Sequence, residues 1–253
     1  MGKKELYGIL MICCLLLTSC LGDSSARITM GEQEAVYQSY PTKGFYVSDG
    51  RFLYGTNLSV TGDTGDCFLI EYSFDSADSE LQDSDSLSVE LVGQPIGVSL
   101  WPSDSNITDT TMVMEDEVLT KSLLGRKAYI AGRLFLWSNH TELQSQQDSF
   151  MISYDSDNMY TEEEGKRIYN LYLRVKRNSA EQEDSDEATK SVLVTNAFDI
   201  SEFFSKAKSR EEAMGATELL VAIHYASAYN KDTTACLWSV TEPMQISMAG
   251  DAE

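Results

Sequence analysis

The amino-acid sequence predicts a mainly β protein made of two consecutive β units, with one short helical crossover near the C-terminal end. Three observations carry that reading. Short apolar runs bounded by Gly, Asp, Asn and Ser recur along the chain, most of them too brief for helices. Alternation in steps of two is clear in Tyr169, Leu171, Leu173 and Val175, set against Asn170, Arg174 and Lys176, with Tyr172 out of place. A polar stretch from Pro102 to Thr111 separates a strand-dense first part from the rest.

The elements follow in order. Gly2-Lys3-Lys4 gives a positive start, and Leu6 to Leu17 is an apolar run of twelve residues. Twelve helical residues reach about 18 Å, short of a hydrocarbon core of about 30 Å. Residues 1–19 therefore read as a signal peptide. Leu17-Thr18-Ser19-Cys20 looks like a bacterial lipobox, in which Cys20 becomes the lipidated first residue. Leu21, in place of an Asp, leans towards the outer membrane, with the periplasmic or cell-surface face left open. Residues 20–34 are small and polar and read as a tether. The first unit spans 35–110. It holds Gly44–Ser48 and Arg51–Tyr54 around Asp49-Gly50, a type I′ hairpin signal. Asp66–Phe74 follows, with Phe68, Ile70, Tyr72 and Phe74 on one face, then Leu87–Val92 and Ile96–Trp101. The second unit spans 111–253, with strands at Ala128–Trp137, Ser149–Tyr154, Arg167–Val175, Ser191–Ala197, Glu218–Tyr229 and Thr234–Val240. Between the last strands, Asp199 with Glu202 and Ser209 with Glu212 have capping-box spacing, and Phe203, Phe204 and Ala207 give a short apolar helix face.

Charge narrows the function. The 253 residues carry 19 Lys+Arg against 40 Asp+Glu, a net charge of −21. Without Lys3, Lys4 and Glu5 the remainder counts 17 basic and 39 acidic residues, or −22. That surplus excludes nucleic acid, which requires a basic face. A hydrophobic content of 42% still suffices for a packed core. The acids gather in loops such as Asp75–Asp85, Glu162–Glu164 and Glu181–Glu187, a solubilising coat.

No segment carries a strong chemical signature. Cys67 and Cys236 are the cysteines left beside Cys20, and an oxidising compartment allows them to pair; two buried free thiols are the alternative. His140 and His224, the only histidines, read as structural. Asp155-Ser-Asp157-Asn158 begins like a calcium loop but fails at Met159 and Tyr160, and Asp75–Asp85 has nothing to fix a cage. No metal, cofactor or catalytic residue is expected. Two carboxylates set for glycoside hydrolysis are a spatial question. Trp101, Trp137 and Trp238 suit core packing better than a carbohydrate platform, one per strand. Asp75-Ser76-Ala77, Asp85-Ser86-Leu87, Asp109-Thr110-Thr111 and Asp232-Thr233-Thr234 look like acceptors of extracytoplasmic O-glycosylation.

The layout resembles the NigD-like lipoproteins of gut Gram-negative bacteria. The residues that suggest it are Asp49-Gly50 with the strand after it, Gly65-Asp66-Cys67-Phe68-Leu69-Ile70-Glu71-Tyr72, Leu119-Thr120-Lys121, and Phe198-Asp199-Ile200-Ser201. The resemblance implies a small OB-like barrel followed by a β-sandwich, with no established catalysis. The expectation is a lipid-anchored, non-enzymatic β module that binds a protein or glycan partner. A glycan-active hydrolase using paired carboxylates and a structural or adhesin-type surface subunit are the alternatives.

Overall fold

The computed structural model describes residues 26–75, 85–106, 110, 112–142, 147–178 and 190–248. The stretch read as a signal peptide, residues 1–19, and Cys20 lie outside them. The first sheet contains β1 (Arg27–Gln38), β2 (Gly44–Val47), β3 (Phe52–Tyr54), β4 (Cys67–Asp75), β5 (Ser86–Ser88), β6 (Glu90–Leu91) and β7 (Ile96–Val98). Its order is β5-β3-β2-β1-β4-β6, with β7 also on β4. The sheet curls into a half-barrel around Tyr37, Phe45, Leu53, Ile70, Tyr72 and Leu87. Phe68 and Phe74 pack against this core, so the face expected of β4 is the face that is buried. Fully burying such side chains stabilises by about 1.5–3 kcal/mol each.

Two local expectations are corrected here. Arg27 to Glu34, read as tether, is the first part of β1, paired with β4 from Arg27↔Asp75 to Met30↔Tyr72 and again from Gln33↔Ile70. The pairing comes from β4, while Arg27, Ile28, Thr29 and Gly31 stay exposed, so no apolar pattern marks the strand. The Asp49-Gly50 turn is not type I′, because only Gly50 has positive φ, +83°. Tyr46 pairs with Phe52 and the Gly50 N–H donates to the Val47 carbonyl (3.0 Å), making a three-residue loop that ends on a left-handed glycine.

The larger sheet holds β8 (Leu100–Asp104), β9 (Glu117–Val118), β10 (Thr120–Ile130), β11 (Arg133–Glu142), β12 (Gln147–Ser153), β13 (Tyr160–Glu163), β14 (Lys166–Asn178), β15 (Lys190–Asp199), β16 (Glu218–Tyr229), β17 (Cys236–Val240) and β18 (Met244–Ser247). Helix α1 (Ser201–Glu212) crosses from β15 to β16. The main path runs β10-β11-β15-β8-β12-β14-β16-β17. It folds over on itself at β8, which pairs in parallel with β15 (Trp101↔Phe198) and then with β12 (Ser103↔Ile152). Leu134, Leu136, Ile152, Leu171 and Ile223 fill the space between the two layers, with Phe203, Phe204 and Ala207 of α1 closing it. The stretch read as a linker at Pro102–Thr111 thus begins inside a strand.

Other expectations change in detail. Ala128–Trp137 is not one strand but the β10–β11 hairpin, turning on Ala131 (φ +45°) and Gly132 (φ +82°). Asp199 does not cap α1: it accepts from the Ser201 N–H (3.1 Å) and hydroxyl (2.6 Å), and pairs with Arg133 at 2.9 Å. Ser209 starts no second helix; its hydroxyl donates to the Ser205 carbonyl (2.9 Å) inside the same one. The apolar face of α1 is as expected.

The two sheets meet through the outer side of the half-barrel. Val36 and Cys67 pack on Ala128, Ile130, Phe135 and Ala197. Beside them the buried Glu34 carboxylate holds Arg126 (Nε, 2.6 Å) and accepts from Trp137 Nε1 (2.7 Å), with the guanidinium 5.2 Å from the indole centroid.

Candidate binding face

The polar alternates of β14 are buried at Asn170 and Arg174, while Lys176 stays exposed. Asn170 is 6% exposed and Arg174 3%. Asn170 is enclosed by His224 and Thr161, and Arg174 by residue 110 and residues 112–117, which run beside β14 and β17. Arg174 donates to the Met112 carbonyl (3.0 Å), lies 3.5 Å from Glu117 and sits 5.2 Å from the centroid of Trp238. Trp238 Nε1 donates to the Thr110 carbonyl at 2.7 Å. The Glu117 carboxylate, fully buried, also accepts the Met114 N–H (2.9 Å) and the Cys236 thiol (3.0 Å). Burial, and then the bond to Glu117, push the Cys236 thiol up to about 12, so it remains a thiol.

Aromatic rings finish the face. Tyr172 and His224 stack at 4.7 Å and 17°, as adjacent positions of β14 and β16, and Trp238 meets Tyr172 edge-on at 5.6 Å. The Asn170 carbonyl oxygen lies 2.9 Å from His224 Nε2 and accepts its hydrogen, which leaves Nδ1 as the acceptor. Burial lowers the His224 pKa and favours the neutral ring. Around these groups Met112 and Val240 are 61% and 57% exposed. The result is a half-buried aromatic floor with a buried ion pair beside it and exposed apolar side chains around it. Such a surface suits recognition.

The residues singled out in the sequence are dispersed. Cys67 and Cys236 are free, buried thiols in different sheets, the alternative to a disulfide. Burial pushes Cys67 up to about 12 as well. His140 is enclosed between β11 and β12, with Nε2 3.0 Å from Asp148 and Phe150 edge-on at 5.6 Å. Trp101 packs on Phe150 and donates to Asn196 (2.8 Å), Trp137 belongs to the junction of the sheets, and Trp238 alone joins the face. The three tryptophans form no shared platform.

Carboxylates are equally engaged. Glu34, Glu117 and Glu211 each face a guanidinium, Glu211 accepting from Arg167 and from the Tyr169 hydroxyl at 2.8 Å, beside a cavity of about 200 Å³. In the loop that begins like a calcium site, Asp155 accepts the N–H groups of Asp157 and Asn158, which hold its pKa below the usual carboxylate range. Most of the Asp75–Asp85 loop lies outside the described residues. So do most of the residues of the acceptor sequences at Asp75 and Asp109, whereas Asp232-Thr233-Thr234 forms an exposed turn. Glu117 was not singled out in the sequence. Its only trace there is the arginine placed inside an apolar strand.

No protein-family model and no curated protein matches the sequence. Among the described residues no helix is long and apolar enough to cross a membrane. Solved structures do match. An uncharacterized protein from Parabacteroides merdae is 20% identical over 86% of this chain and 99% of that one, with a TM-score of 0.72. A candidate lipoprotein from Bacteroides fragilis is 14% identical over 90% and 100%, TM-score 0.54. The neighbours also include a NigD-like immunity protein from Bacteroides caccae, 12% identical over 86% and 93%, TM-score 0.44. The chain shares its mainly β fold, half-barrel and larger sheet together, with the Parabacteroides merdae protein along almost that protein's whole length.

Proposed function

We propose that this chain is a lipid-anchored envelope protein, acylated at Cys20 and held at the outer membrane, whose β body binds a protein or glycan partner without catalysing a reaction. The face on β14, β16 and β17 carries this reading: Tyr172 stacks on His224 and meets Trp238 edge-on, Trp238 in turn packs against the Arg174 guanidinium of the buried Glu117–Arg174 pair, and Met112 and Val240 offer apolar surface. Its polar groups bond to one another, an arrangement that builds rigidity rather than a nucleophile with its base. The lipobox Leu17–Cys20 supports the anchor, and a structural neighbour is itself described as a candidate lipoprotein.

The test uses the full chain and its Cys20→Ser variant in a Gram-negative host. The wild type is expected in the outer-membrane fraction with the added mass of its acyl chains, and the variant is expected in the soluble fraction. Incubation of the purified lipoprotein with envelope polysaccharide is expected to release no new reducing ends; their accumulation would establish a hydrolase instead.

A further inference from the structure

The edges of the two sheets are not alike. β5, β6, β7 and β9 are two or three residues long. β10 carries Lys121, Arg126 and Lys127 and two register shifts, β13 ends on Glu162-Glu163, and Pro243 precedes β18. Shortness, charge, proline and irregular pairing all hinder the addition of another strand. β17 lies at the end of the larger sheet and has one of these devices, an irregularity in its pairing with β16 between Ala226 and Ala228, but Cys236-Leu237-Trp238-Ser239-Val240 is five residues long with no charge and no proline.

Its free side can be assigned. The Ser227 hydroxyl donates to the Leu237 carbonyl (3.2 Å) and the Thr241 N–H donates to the Ile223 carbonyl (3.0 Å), so residues 237, 239 and 241 turn towards β16. By alternation, Trp238 and Val240 direct their N–H and C=O groups away from the sheet. Met112 bridges Ala235, just before the strand begins, and no described strand pairs the far side of Leu237–Val240.

From this we infer that β17 is a strand-addition site for an extended segment of a cationic partner protein. Backbone groups of Trp238 and Val240 would pair with the incoming strand, and its alternating apolar side chains would meet Val240 and Met112 on one face of the sheet and Leu237 on the other. Charge selects the sign of the partner. The chain carries −21 overall, and Glu115, Asp116, Asp232 and Glu242 are exposed around the strand against two lysines, Lys231 in the same turn as Asp232 and Lys127, whose Nζ donates to the Glu242 carbonyl at 2.7 Å. The same charge opposes pairing of β17 with a second copy of itself. This inference rests on the binding reading above and names its partner.

The experiment is amide exchange on the full-length lipidated protein in neutral detergent, with synthetic peptides as probes. A capped peptide alternating Lys and Val is expected to slow exchange at Trp238 and Val240. Its affinity should fall on the order of tenfold between about 0.05 M and about 0.5 M salt. Leu237→Lys, an exposed substitution, should weaken the protection and leave exchange elsewhere unchanged; Val240→Pro, which removes an outward N–H, should abolish it. Equal protection by a Glu–Val peptide, or no protection of β17 by any peptide, overturns the inference. Protection of another strand overturns it too, but leaves a protein-binding module standing. Protection of the Tyr172–His224 face by soluble polysaccharide, with β17 unchanged by peptide, replaces the partner with a glycan.

Discussion

Glu117 and Arg174 show how much of the face depends on one pair. Both side chains are almost wholly buried, and their 3.5 Å separation is completed by Met114, Cys236 and the Met112 carbonyl. Removing one partner leaves a charge without its counterion, at a cost of about 3–5 kcal/mol. Arg174→Leu is therefore expected to lower the urea midpoint sharply, and adding Glu117→Leu should restore part of the loss. His224 gives a pH prediction. Its folded pKa lies below the ordinary value of about 6.5, so the unfolded chain binds the proton more readily. Its contribution is intact above about pH 6.5 and lost as pH falls through the depressed folded value. Urea midpoints measured at pH 7.5 and 5 should differ less in His224→Gln than in the wild type. The sequence revealed neither role. Asn170 and Arg174 stand at polar positions of the strand alternation; the residues that cover Arg174 come from a segment some sixty positions earlier, and His224, which bonds Asn170, from one some fifty positions later.

At the level of elements, turns were harder to read than strands. Asp49-Gly50 marked a hairpin correctly, yet the loop contains a third residue, because a left-handed Gly50 after Asp49 is enough to return the chain. Ala131-Gly132 forms the two-residue turn with both φ values positive, although alanine gives no signal for it. Left-handed conformation costs an ordinary residue about 1–2 kcal/mol, and asparagine less. Ala131→Asn is thus expected to stabilise by up to about 1 kcal/mol, read as a higher melting temperature. Gly132→Ala should act in the opposite direction, since φ is +82° and the new Cβ would lie 3.2 Å from the Ser201 Cβ. Helix α1 was legible for a simple reason: Phe203, Phe204 and Ala207 repeat at helical spacing and face one core.

For the whole molecule, the junction of the sheets decides whether the two units behave as one. Phe135 is 0% exposed and central to that junction, so Phe135→Ala is expected to cost about 3–5 kcal/mol. Glu34→Ala leaves Arg126 and Trp137 without their shared acceptor, and calorimetry is expected to show two transitions for this variant against one for the wild type. The mainly β character is readable from strand density, whereas Ile96–Trp101, read as one strand, divides between the two sheets at Ser99. The junction was not readable, because Val36, Cys67 and Ala197 are ordinary strand residues until the second sheet lies against them. The strand β8 adds a different kind of constraint. Its partners are Ile152 and Ser153 on one side and residues Ala197–Asp199 on the other, roughly fifty and a hundred positions downstream. The half-barrel, by contrast, finds every strand partner before Leu100. A chain appearing N-terminus first can complete its first sheet early, whereas β8 waits unpaired until most of the polypeptide has emerged. Order of appearance, more than local stability, then determines which part of the newborn molecule is vulnerable to proteases and chaperone capture.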